Sequence, residues 1–577
     1  MLLKSLHDRV LQALAQAQNA GDLTLEQLPE VKIEIPRDTT HGDYATNVAL
    51  TLAKAARMAP RKIADILQKH LKDDPLLDAV DIAGPGFINF RLSNSFLQKY
   101  IAEVNQQKAD YGQQHNTDAH RYLIEFVSAN PTGPLHFGHG RWAVLGDCLA
   151  RLMKTAGYEV STEFYINDTG TQIQNLGASA QATYYGVLQE KGVTLNEKAA
   201  AHLQTYLDEK NATEKGKVNF YHGHYIQELG EALHEKFGKD LLDQPVSFFC
   251  DQAKNHLLKQ QQDQMEAFGV HFDEWYPESR LHGEGAITDG INALKAAGVT
   301  YEEEGALWFK SSDFGDDKDR VLIKSAGNST YFANDVAYHH DKIQRGFDRL
   351  INIWGADHHG YVARVKAAIQ ALGHSEDALN VILGQIVHLY KEGEQVRMSK
   401  RTGEMVTFEE VFQEVGKDAT RYLLMQRSPD STIDFDLDLA KSQTSENPVF
   451  YVQYAHARIC SIFRTAQQSE TLGKLAEHVE DASLKLLEAP EARRLMLKIL
   501  SYPDEIAFAA HVKEPHRLTT YAQELAAAFH SFYKQCRVLD DSKPELSHAR
   551  LALARATQQT LHNLLTGIFG ISAPESM

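Results

Sequence analysis

The chain has 577 residues and a mass of 64.7 kDa, too much for one hydrophobic core, so about three to five domains are expected. Hydrophobic residues make up 43% and charged residues 24%, which excludes a mainly disordered, collagen-like or fibrous chain. The 59 basic and 77 acidic residues give a net charge of −18, which by itself argues against a nucleic-acid partner.

The acidic charge lies in the middle of the chain. Residues 1–120 carry 13 basic and 15 acidic residues, and residues 441–577 carry 15 of each, whereas residues 121–440 carry a net charge of −16. Both ends are therefore close to neutral. The total charge does not exclude a nucleic-acid partner, but it indicates that local basic patches would have to steer one.

The cysteines and the N-terminus indicate the compartment. Cys148, Cys250, Cys460 and Cys536 lie far apart without CxxC spacing, which predicts reduced, buried thiols rather than a zinc ribbon or a disulfide scaffold. The N-terminus is a mixed-charge amphipathic pattern unlike a signal peptide, and no run of about 18 apolar residues occurs. We expect a cytoplasmic protein that does not span a membrane.

Residues 1–115 predict a small α+β domain. After an opening helix, residues 31–35 (VKIEI) alternate like a strand, and residues 82–93 are typical of a turn followed by a strand. The polar stretch 105–120 is the candidate linker to the next domain.

Residues 116–390 predict a doubly wound α/β domain. A continuous apolar strand at 121–127 is followed by a loop rich in Gly and Pro, then by a helix over about 141–155 with Gly157 as its C-cap, and by a second strand at 159–167. Three later segments are expected to continue the same sheet: residues 321–325, 349–359 and 380–390.

The remaining segments are mostly helical. Residues 178–300 are long and polar and predict an insertion into the sheet domain, while residues 391–440 form a connecting segment. Residues 441–577 lack strand alternation and predict a helical bundle. The expected fold is a multidomain α/β protein with a Rossmann-like parallel sheet, an N-terminal α+β domain and a C-terminal all-α bundle.

The sharpest local motif is HFGHG, His136 to Gly140, where the first strand feeds the first helix. Glycine lets the backbone approach a nucleotide, a helix N-terminus attracts phosphate, and two imidazoles can donate hydrogen bonds as charge builds on phosphate oxygens. The alternatives are a chance match or a metal site. Metal is disfavoured, because no further ligand cluster accompanies the histidines.

A second motif follows the last predicted strand, in the order Arg397, Met398, Ser399, Lys400. A loop with cations and a hydroxyl suits a pyrophosphate leaving group, although alone it would pass for an ordinary basic surface loop. HxGH in the first βα turn together with MSK after the last strand resembles the joint signature of class I aminoacyl-tRNA synthetases.

Longer stretches identify the type within that class. The chain resembles arginyl-tRNA synthetases over essentially its whole length, and its ending, LLTGIFGISAPESM, is similar to theirs as well. Five stretches carry the resemblance: HGDYATNVAL (41–50), AGPGFINFRLS (83–93), EFVSANPTGPLHFGHGR (125–141), INDTGTQ (166–172) and NPVFYVQYAHAR (447–458).

The resemblance implies an arginine pocket. Glu125 and Asn130 would hold the α-amino group, Asp335 with Tyr331 would hold the guanidinium, and Gln172 is a further pocket residue. Carboxylate and amide oxygens accept from an ammonium, and a planar guanidinium favours a bidentate carboxylate. The alternative for Asp335 is an N-cap on a helix that begins one residue later, and the alternative for Tyr331 is core packing.

The resemblance also implies an ATP site in which no side chain is a covalent nucleophile. His136, His139 and Lys400 would be catalytic. The ATP contacts would come from Phe137, Gly138, Gly140, Arg397, Met398, Ser399 and His358. ATP would bring Mg²⁺, with no tightly bound metal in the protein. Some family members carry a Lys upstream of HxGH, but Gly133 stands there, so Lys400 with Arg397 would hold the leaving-group charge.

Two pairs of histidines are open to simpler interpretations. His358 and His359 follow a predicted strand end, where open sheets bind ligands, and the alternative is a packing pair at a helix start. His339 and His340 predict an exposed helix pair.

For the C-terminal bundle the resemblance implies anticodon binding. GKDATR (416–421) resembles the segment that joins the MSK loop to that bundle. Tyr454 and Arg458 lie one helical turn apart and suit unstacked bases, with Tyr533 as a further candidate. The alternative for Tyr454 is core packing. The N-terminal domain would contact the tRNA elbow.

The expected activity is that of an arginine–tRNA ligase. Arginine and ATP would give arginyl-adenylate and pyrophosphate, and the terminal ribose 2′-hydroxyl of tRNA would then accept the arginyl group and release AMP. The expected partners are tRNA, L-arginine and ATP, and the family suggests a monomer. The rival hypotheses are another HxGH enzyme, such as an adenylate-forming ligase or a cytidylyltransferase, and a catalytically dead tRNA-binding paralogue.

Overall fold

The computed structural model describes residues 2–36, 38–211, 219–396 and 406–577. The chain forms two compact units. One comprises residues 1–114, 450–568 and 572–577, and the other comprises residues 115–449 and 569–571. Within the described parts of both units, no helix is long and apolar enough to cross a membrane.

The first unit begins with a small α+β assembly. Its helices are α1 (Leu2–Asn19), α2 (Val48–Leu52), α3 (Pro60–Leu71) and α4 (Asn94–Gln107), and its strands are β1 (Tyr44–Thr46), β2 (Leu77–Ala83) and β3 (Phe87–Leu92). The strands form an antiparallel sheet in the order β1-β3-β2. The turn and strand predicted over residues 82–93 are confirmed as the end of the β2–β3 hairpin. Residues 105–107 of the predicted linker belong to α4.

The strand predicted over residues 31–35 is wrong. Only Glu34 pairs there, in an isolated antiparallel bridge with Ala45. Pro36 follows directly and has no backbone N–H to extend the ladder, and the side chain of Ile35 is exposed. An alternating pattern alone did not supply a partner strand.

The second unit holds the largest sheet. Its strands are β4 (Arg121–Glu125), β5 (Glu159–Ile166), β6 (Glu274–Pro277), β7 (Thr300–Glu303), β8 (Ala306–Phe309), β9 (Arg320–Ile323), β10 (Arg349–Gly355), β11 (Leu379–Gly384), β12 (Val387–Lys391), β13 (Glu394–Val396) and β14 (Ile433–Asp436). Its helices are α5 (Phe137–Thr155), α6 (Gly170–Glu190), α7 (Glu197–Asn211), α8 (His224–Phe237), α9 (Val246–Phe268), α10 (Glu278–Gly283), α11 (Ala286–Ala296), α12 (Tyr331–Gln344), α13 (His359–Ala371), α14 (Phe408–Val415), α15 (Lys417–Met425) and α16 (Leu437–Lys441).

The central sheet is parallel throughout its described strands. Its order is β11-β10-β4-β5-β6, so the strands follow one another as fifth, fourth, first, second and third in chain order. This is a Rossmann-like order that reverses between β4 and β10, and a ligand crevice is expected there at the carboxyl ends of the strands. The predicted doubly wound sheet is confirmed.

Two of the expected additions to this sheet are different in the structure. Residues 320–323 form β9, which pairs antiparallel with β8 in a separate small sheet with β7. The stretch 380–390 divides, because β11 joins the central sheet while β12 pairs with β13 and β14. Short apolar runs do not reveal which neighbour they will pair with.

One central strand lies inside the range predicted for the insertion. After the helices α6 to α9, which pack around a common apolar core, residues 274–277 return as the edge strand β6. The sequence EWYP gives little strand signal, but Tyr276 is fully buried. The helical interruption of the sheet therefore ends at Phe268.

The C-terminal helical region is confirmed. Its helices are α17 (Pro448–Ala466), α18 (Glu470–Glu477), α19 (Pro490–Leu500), α20 (Tyr502–Val512), α21 (Arg517–Gln535) and α22 (Pro544–His562). These helices and the N-terminal assembly make one unit: the Tyr111 hydroxyl donates to the Ile499 carbonyl, and the carboxylate of Asp504 accepts from the backbone N–H groups of Leu2 and Leu3.

The four cysteines lie among the described residues, and all four are buried and free, as the sequence predicts. Burial raises the pKa of the Cys148 thiol to about 12. A thiol in that state is a poor nucleophile.

Candidate active site

One large cavity opens at the carboxyl edge of the central sheet. Its volume is about 2510 Å³, and its walls come from the loop after β4, the ends of β5, β10 and β11, the start of α12 and the helices that follow β5. The point at which the strand order reverses lies within this edge. The position is the one at which open α/β sheets bind ligands.

The HFGHG motif forms one wall. The helix α5 begins at Phe137, four residues before the predicted start, with His136 as its N-cap. The backbone N–H of His136 donates to Nδ1 of His139 at 3.1 Å, and the two rings stack with centroids 3.6 Å apart. His136, Gly138 and His139 line the cavity, so two imidazoles and the positive end of a helix face it.

Two other residues of the motif have packing roles. The Phe137 side chain is fully buried, with its ring centroid 4.9 Å from that of Phe435. A Cβ on Gly140 would lie 2.4 Å from the ring of Phe408. Neither residue is among those that line the cavity, and their expected contacts with ATP stay a prediction.

The second motif lies outside the described residues, and so do Arg397, Met398, Ser399 and Lys400. The chain is described up to β13 and again from Val406. Thr407 forms an isolated bridge with His136, and the Phe408 N–H donates to the Leu135 carbonyl at 2.9 Å. The chain that follows the MSK sequence is therefore anchored beside the HxGH loop.

A strained loop connects β4 to this motif. Val127 and Ser128 adopt positive φ values of 69° and 44°, which is rare for any residue other than glycine and more so for a β-branched one. Both line the cavity. Backbone strain of this kind concentrates at ligand sites, where the surrounding structure holds it in place.

The cavity brings together the two residues predicted to hold the amino group, Glu125 and Asn130, and the further predicted pocket residue Gln172. Glu125 is the last residue of β4 and only 6% exposed, and its carboxylate accepts from Lys342 Nζ at 2.6 Å and from Ser128 Oγ at 2.9 Å. Asn130 Nδ2 donates to Gln172 Oε1 at 2.8 Å. Glu125, Asn130 and Gln172 all line the cavity.

The alternatives for Tyr331 and Asp335 are both wrong. The helix α12 begins at Tyr331, and its N-cap is Thr330, whose Oγ1 accepts from the Ala333 N–H, so Asp335 lies in the second turn and caps nothing. Tyr331 is 80% exposed and is not a core residue. Tyr331 and Asp335 both line the cavity.

Asp335 lies in an electrostatic setting that suits a cation. No described side chain donates a hydrogen bond to its carboxyl group. Burial and the nearby carboxylates of Glu125 and Glu278 raise the pKa of Asp335 to about 7, and Arg364 opposes that shift. A desolvated acid beside two other carboxylates is a site at which a bound cation would relieve repulsion.

The acidic neighbour Glu278 is itself held in place. Its carboxylate accepts from Thr169 Oγ1 at 3.1 Å and from Asn334 Nδ2 at 3.0 Å. Among the described residues, no group of three or more His, Cys, Asp or Glu side chains is arranged to hold a metal ion.

The prediction that His339 and His340 form an exposed pair is wrong. His339 is 3% exposed and His340 is half-buried. The side chain of His339 contacts the backbone carbonyl of Asp335 and the amide of Asn352. Burial, followed by the charge of Lys342, lowers the pKa of His339 to about 3. His339 is therefore a neutral, buried part of the site wall.

The two histidines that follow β10, His358 and His359, occupy different positions. His358 lines the cavity, with its ring centroid 6.2 Å from that of Trp354 and 6.1 Å from that of Tyr361. His359 begins α13, and both histidines are exposed. They do not form a packing pair.

Several cavity residues carry no local sequence signal. The most prominent that the sequence reasoning missed are Ser128, Trp142, Tyr165, Tyr225, Tyr338 and Ile386. Ile386 could have been found from the rule that ligands bind at strand ends, because it lies two residues after the end of β11. Ser128 lies in the loop after β4, and the others lie on helices or strands whose facing partners only the fold reveals.

The other unit brings together the three residues predicted for nucleic-acid contact. Arg458 donates to the Tyr454 hydroxyl at 2.8 Å, and its guanidinium lies 4.9 Å from the Tyr454 ring centroid and 5.0 Å from that of Tyr533. Tyr533 is 38% exposed and Tyr454 is half-buried, so neither is a core residue. An arginine between two tyrosines offers stacking surfaces for bases.

Comparison with family models covers nearly the whole chain. Residues 4–92 match the arginyl tRNA synthetase N terminal domain, residues 100–461 match the catalytic domain of tRNA synthetases class I (R), and residues 452–577 match the DALR anticodon binding domain.

Curated relatives match at full length. The arginine–tRNA ligase of Desulfitobacterium hafniense is 47% identical over 578 residues, which cover 99% of this chain and 98% of that protein. The arginine–tRNA ligase of Bacillus subtilis is 45% identical over 98% of this chain and 97% of its own.

The chain belongs to the class I arginyl-tRNA synthetase family.

The fold of this synthetase agrees with its family. The solved arginyl-tRNA synthetase of Thermus thermophilus superposes with a TM-score of 0.73 over 100% of both chains at 24% identity. Membership also accounts for the order of the features: the HxGH motif at the first βα turn, the acidic pocket beside it and the helical bundle after the sheet domain.

Proposed function

We propose that this protein attaches arginine to the 3′-terminal ribose of its cognate tRNA. The arginine carboxylate attacks the α-phosphate of ATP, which forms arginyl-adenylate and releases pyrophosphate. The ribose 2′-hydroxyl then attacks the activated carbonyl, and AMP leaves. One observation carries the proposal: the half-buried Asp335, to whose carboxyl group no described side chain donates, shares a cavity with His136 and His139.

The amino-acid end of the cavity is proposed to bind arginine in an extended form. Asp335, with Tyr331 at its rim, receives the guanidinium, because a carboxylate matches the fork of two N–H groups. Glu125 and Asn130, with Gln172, receive the α-ammonium. A carboxylate placed to accept two parallel hydrogen bonds would have one of them unmade with lysine, which favours arginine.

The other end of the cavity is proposed to bind ATP, which arrives with Mg²⁺ on its phosphates. His136 and His139 donate to phosphate oxygens, and the N-terminal turn of α5 around Gly138 adds its dipole. His358 lies where the adenosine would rest. Catalysis comes from positioning the reactants and from stabilising the charge that develops in the transition state, with no covalent intermediate on the protein.

The MSK segment is proposed to complete this site. Lys400 and Arg397 stabilise the leaving pyrophosphate, and Met398 and Ser399 contact the nucleotide. Support comes from Thr407 and Phe408, which hold the following residues beside the HxGH loop. Gly133 supplies no charge near the phosphates, so the cations of the MSK segment carry this role.

The other unit is proposed to bind tRNA. The cluster of Tyr454, Arg458 and Tyr533 receives unstacked anticodon bases, and the domain over residues 1–115 contacts the tRNA elbow. The boundaries that we propose for the remaining parts are residues 116–390 for the sheet domain with its insertion, 391–440 for the connecting segment and 441–577 for the bundle.

The proposed working state is a cytoplasmic monomer, since one chain supplies every described wall of the cavity. Sedimentation equilibrium with and without tRNA tests the oligomeric state, and a stable dimer would contradict it.

ATP–pyrophosphate exchange with arginine, with and without tRNA, tests the activity. We expect arginine-dependent exchange, together with stable arginyl-tRNA in a charging assay. Exchange without charging would indicate a small-molecule adenylate-forming enzyme, and tRNA binding without any exchange would indicate a catalytically dead paralogue. Either result would contradict the proposal.

A further inference from the structure

A lysine with no accessible surface lies behind the cavity wall. Lys342, on α12, is 0% exposed, and its Nζ donates to Glu125 Oε2 at 2.6 Å and to Asn352 Oδ1 at 3.3 Å. Lysine is rarely buried completely, because removing its charge from water is costly unless it is paired. The pairing here joins α12 to the last residue of β4.

The same contacts continue to the backbone of Asp335. Asn352, on β10, is fully buried, and its Nδ2 donates to His339 Nε2 at 2.8 Å. His339 Nδ1 lies 2.8 Å from the Asp335 carbonyl oxygen. His339 is neutral, since its pKa is lowered to about 3, and its single N–H is on Nδ1 because Nε2 accepts from Asn352.

The result is a continuous series of hydrogen bonds behind the proposed arginine pocket. It runs from Ser128 Oγ through the Glu125 carboxylate, Lys342 Nζ and the Asn352 amide to the His339 ring and the Asp335 carbonyl. Every contact pairs a donor with an acceptor. Buried hydrogen-bond networks of this kind fix side-chain geometry.

The two carboxylate oxygens of Glu125 accept hydrogen bonds from different residues. Lys342 takes Oε2 and Ser128 takes Oε1, while the residue still borders the cavity. The carboxylate is thereby fixed in one rotamer with lone pairs left for a ligand. Without Lys342 it would be a buried charge with no counter-ion, so it would turn away or take up a proton, and either change removes an acceptor.

We propose that Lys342 is a positioning residue for arginine recognition: it holds Glu125 for the α-ammonium of the substrate and, through Asn352 and His339, fixes Glu125 relative to the backbone of Asp335. This inference rests on the proposed function, in which Glu125 and Asp335 receive the two ends of arginine. Lys342 itself touches no substrate.

The first test compares two ligands on the full-length protein. Lys342→Met should weaken the affinity for arginine by about tenfold or more, the size expected for a lost hydrogen bond to a charged group. The affinity for 5-guanidinopentanoate, which lacks the α-amino group, should change less than about twofold, because that ligand does not use Glu125. Equal losses for both ligands would overturn the proposal.

The second test is a double-mutant cycle with Glu125→Gln. If Lys342 acts through Glu125, then Glu125→Gln and the double variant Glu125→Gln/Lys342→Met bind arginine equally. The double variant buries no uncompensated charge, so it provides the test even if Lys342→Met alone does not fold. A further loss in the double variant would show that Lys342 acts only on the structure, and would overturn the proposal.

The matched control is Lys295→Met, on α11, where the lysine is exposed. It should bind arginine as the unaltered protein does. In the charging assay Lys342→Met should raise the arginine KM and leave kcat within about threefold. If the unaltered protein charges no tRNA, the proposed function fails; if it charges tRNA normally and Lys342→Met has no effect on KM, only this inference fails.

Discussion

The backbone N–H of Phe408 donates a 2.9 Å hydrogen bond to the carbonyl of Leu135, and the ring of Phe408 covers Gly140. The helix α14 thereby begins directly on the loop that carries the two histidines. Thr407 caps that helix, and its N–H and hydroxyl both donate to the carboxylate of Glu410. The described chain that follows the MSK sequence is thus held against the HxGH loop at the start of α14.

The first prediction concerns that contact. In Gly140→Ala the new methyl group would lie 2.4 Å from the Phe408 ring, so α14 must shift away from Leu135. We expect the rate of adenylate formation to fall by at least about tenfold, because small misplacements of positioned groups are costly in rate. Arginine affinity should change little. Single-turnover measurements with saturating ATP check this, and an unaltered rate would contradict the packing role of Gly140.

The second prediction concerns stability in the middle of α5. A Cβ on Gly146 would lie 2.1 Å from the Phe126 ring, so Gly146→Ala overpacks the core and should lower the free energy of unfolding by about 1–3 kcal/mol.

The matched control is Gly186→Ala on α6, where the nearest atom to a Cβ is 3.7 Å away. Its free energy of unfolding should be unchanged or higher by up to about 1 kcal/mol, because alanine has the higher helix propensity. Thermal unfolding monitored by circular dichroism separates the two variants. Equal midpoints would show that α5 can move away from Phe126 without loss.

The third prediction concerns pH. The raised pKa of Asp335, about 7, means that the free protein holds a proton there below neutrality, while a guanidinium needs the carboxylate. Arginine affinity should therefore rise roughly tenfold from pH 6 to pH 8 and then level off. Binding near pH 7 should release a proton, which calorimetry in two buffers of different ionisation enthalpy measures.

Asp335→Asn is the control for that profile. It should bind arginine weakly at every pH and lose the slope between pH 6 and pH 8, because the titrating group is gone. A slope that persists in Asp335→Asn would assign the titration to another group in the cavity.

The fourth prediction concerns the imidazoles. His139→Ala should lower the turnover of adenylate formation by at least about 10²-fold, because a donor aimed at developing charge is lost, and Lys400→Ala should have a comparable effect. Affinity for tRNA, measured by filter binding, should be preserved in both. Turnover equal to that of the unaltered protein in either variant would remove that residue from the mechanism.

The fifth prediction concerns the tRNA surface. Arg458→Ala should weaken tRNA binding, while arginine affinity stays the same. The slope of the logarithm of the tRNA binding constant against the logarithm of salt concentration should become shallower by about one, because one phosphate contact is lost. Tyr454→Phe keeps the stacking surface and loses only the hydroxyl that accepts from Arg458, so its effect should be smaller. Arg464→Ala, at an exposed site on the same helix, is the control, and an equal loss there would refute a specific role for the cluster.

The structure agrees with some of the site residues predicted from sequence better than with others. Glu125, Asn130, Tyr331 and Asp335 come from different parts of the chain, and all of them line one cavity. Glu125 and Asn130 lie in one of the long stretches that resemble the family, whereas Tyr331 and Asp335 were matched to the family within the shorter stretch 330–338. Phe137 and Gly140 pack against Phe435 and Phe408, and their expected contacts with ATP stay a prediction.

The errors in the predicted strands have a common physical origin in strand pairing. The stretch 31–35 alternates like a strand but has no partner, and residues 320–323 are a strand that joins a different sheet. Residues 274–277 pair at the edge of the central sheet although they follow long polar helices. Strand pairing is set by non-local contacts, which periodicity does not encode.

The sequence by itself indicated the class of the protein through motifs and stretches that resemble the family. It also indicated the order of the parts, because composition, turn residues and apolar runs are local properties. Only the tertiary structure decided that the buried Lys342 meets Glu125, 217 residues away, and that His339 is a neutral wall residue rather than a surface one. Such pairs form where burial makes an unpaired charge or donor costly, and burial is a property of the assembled fold.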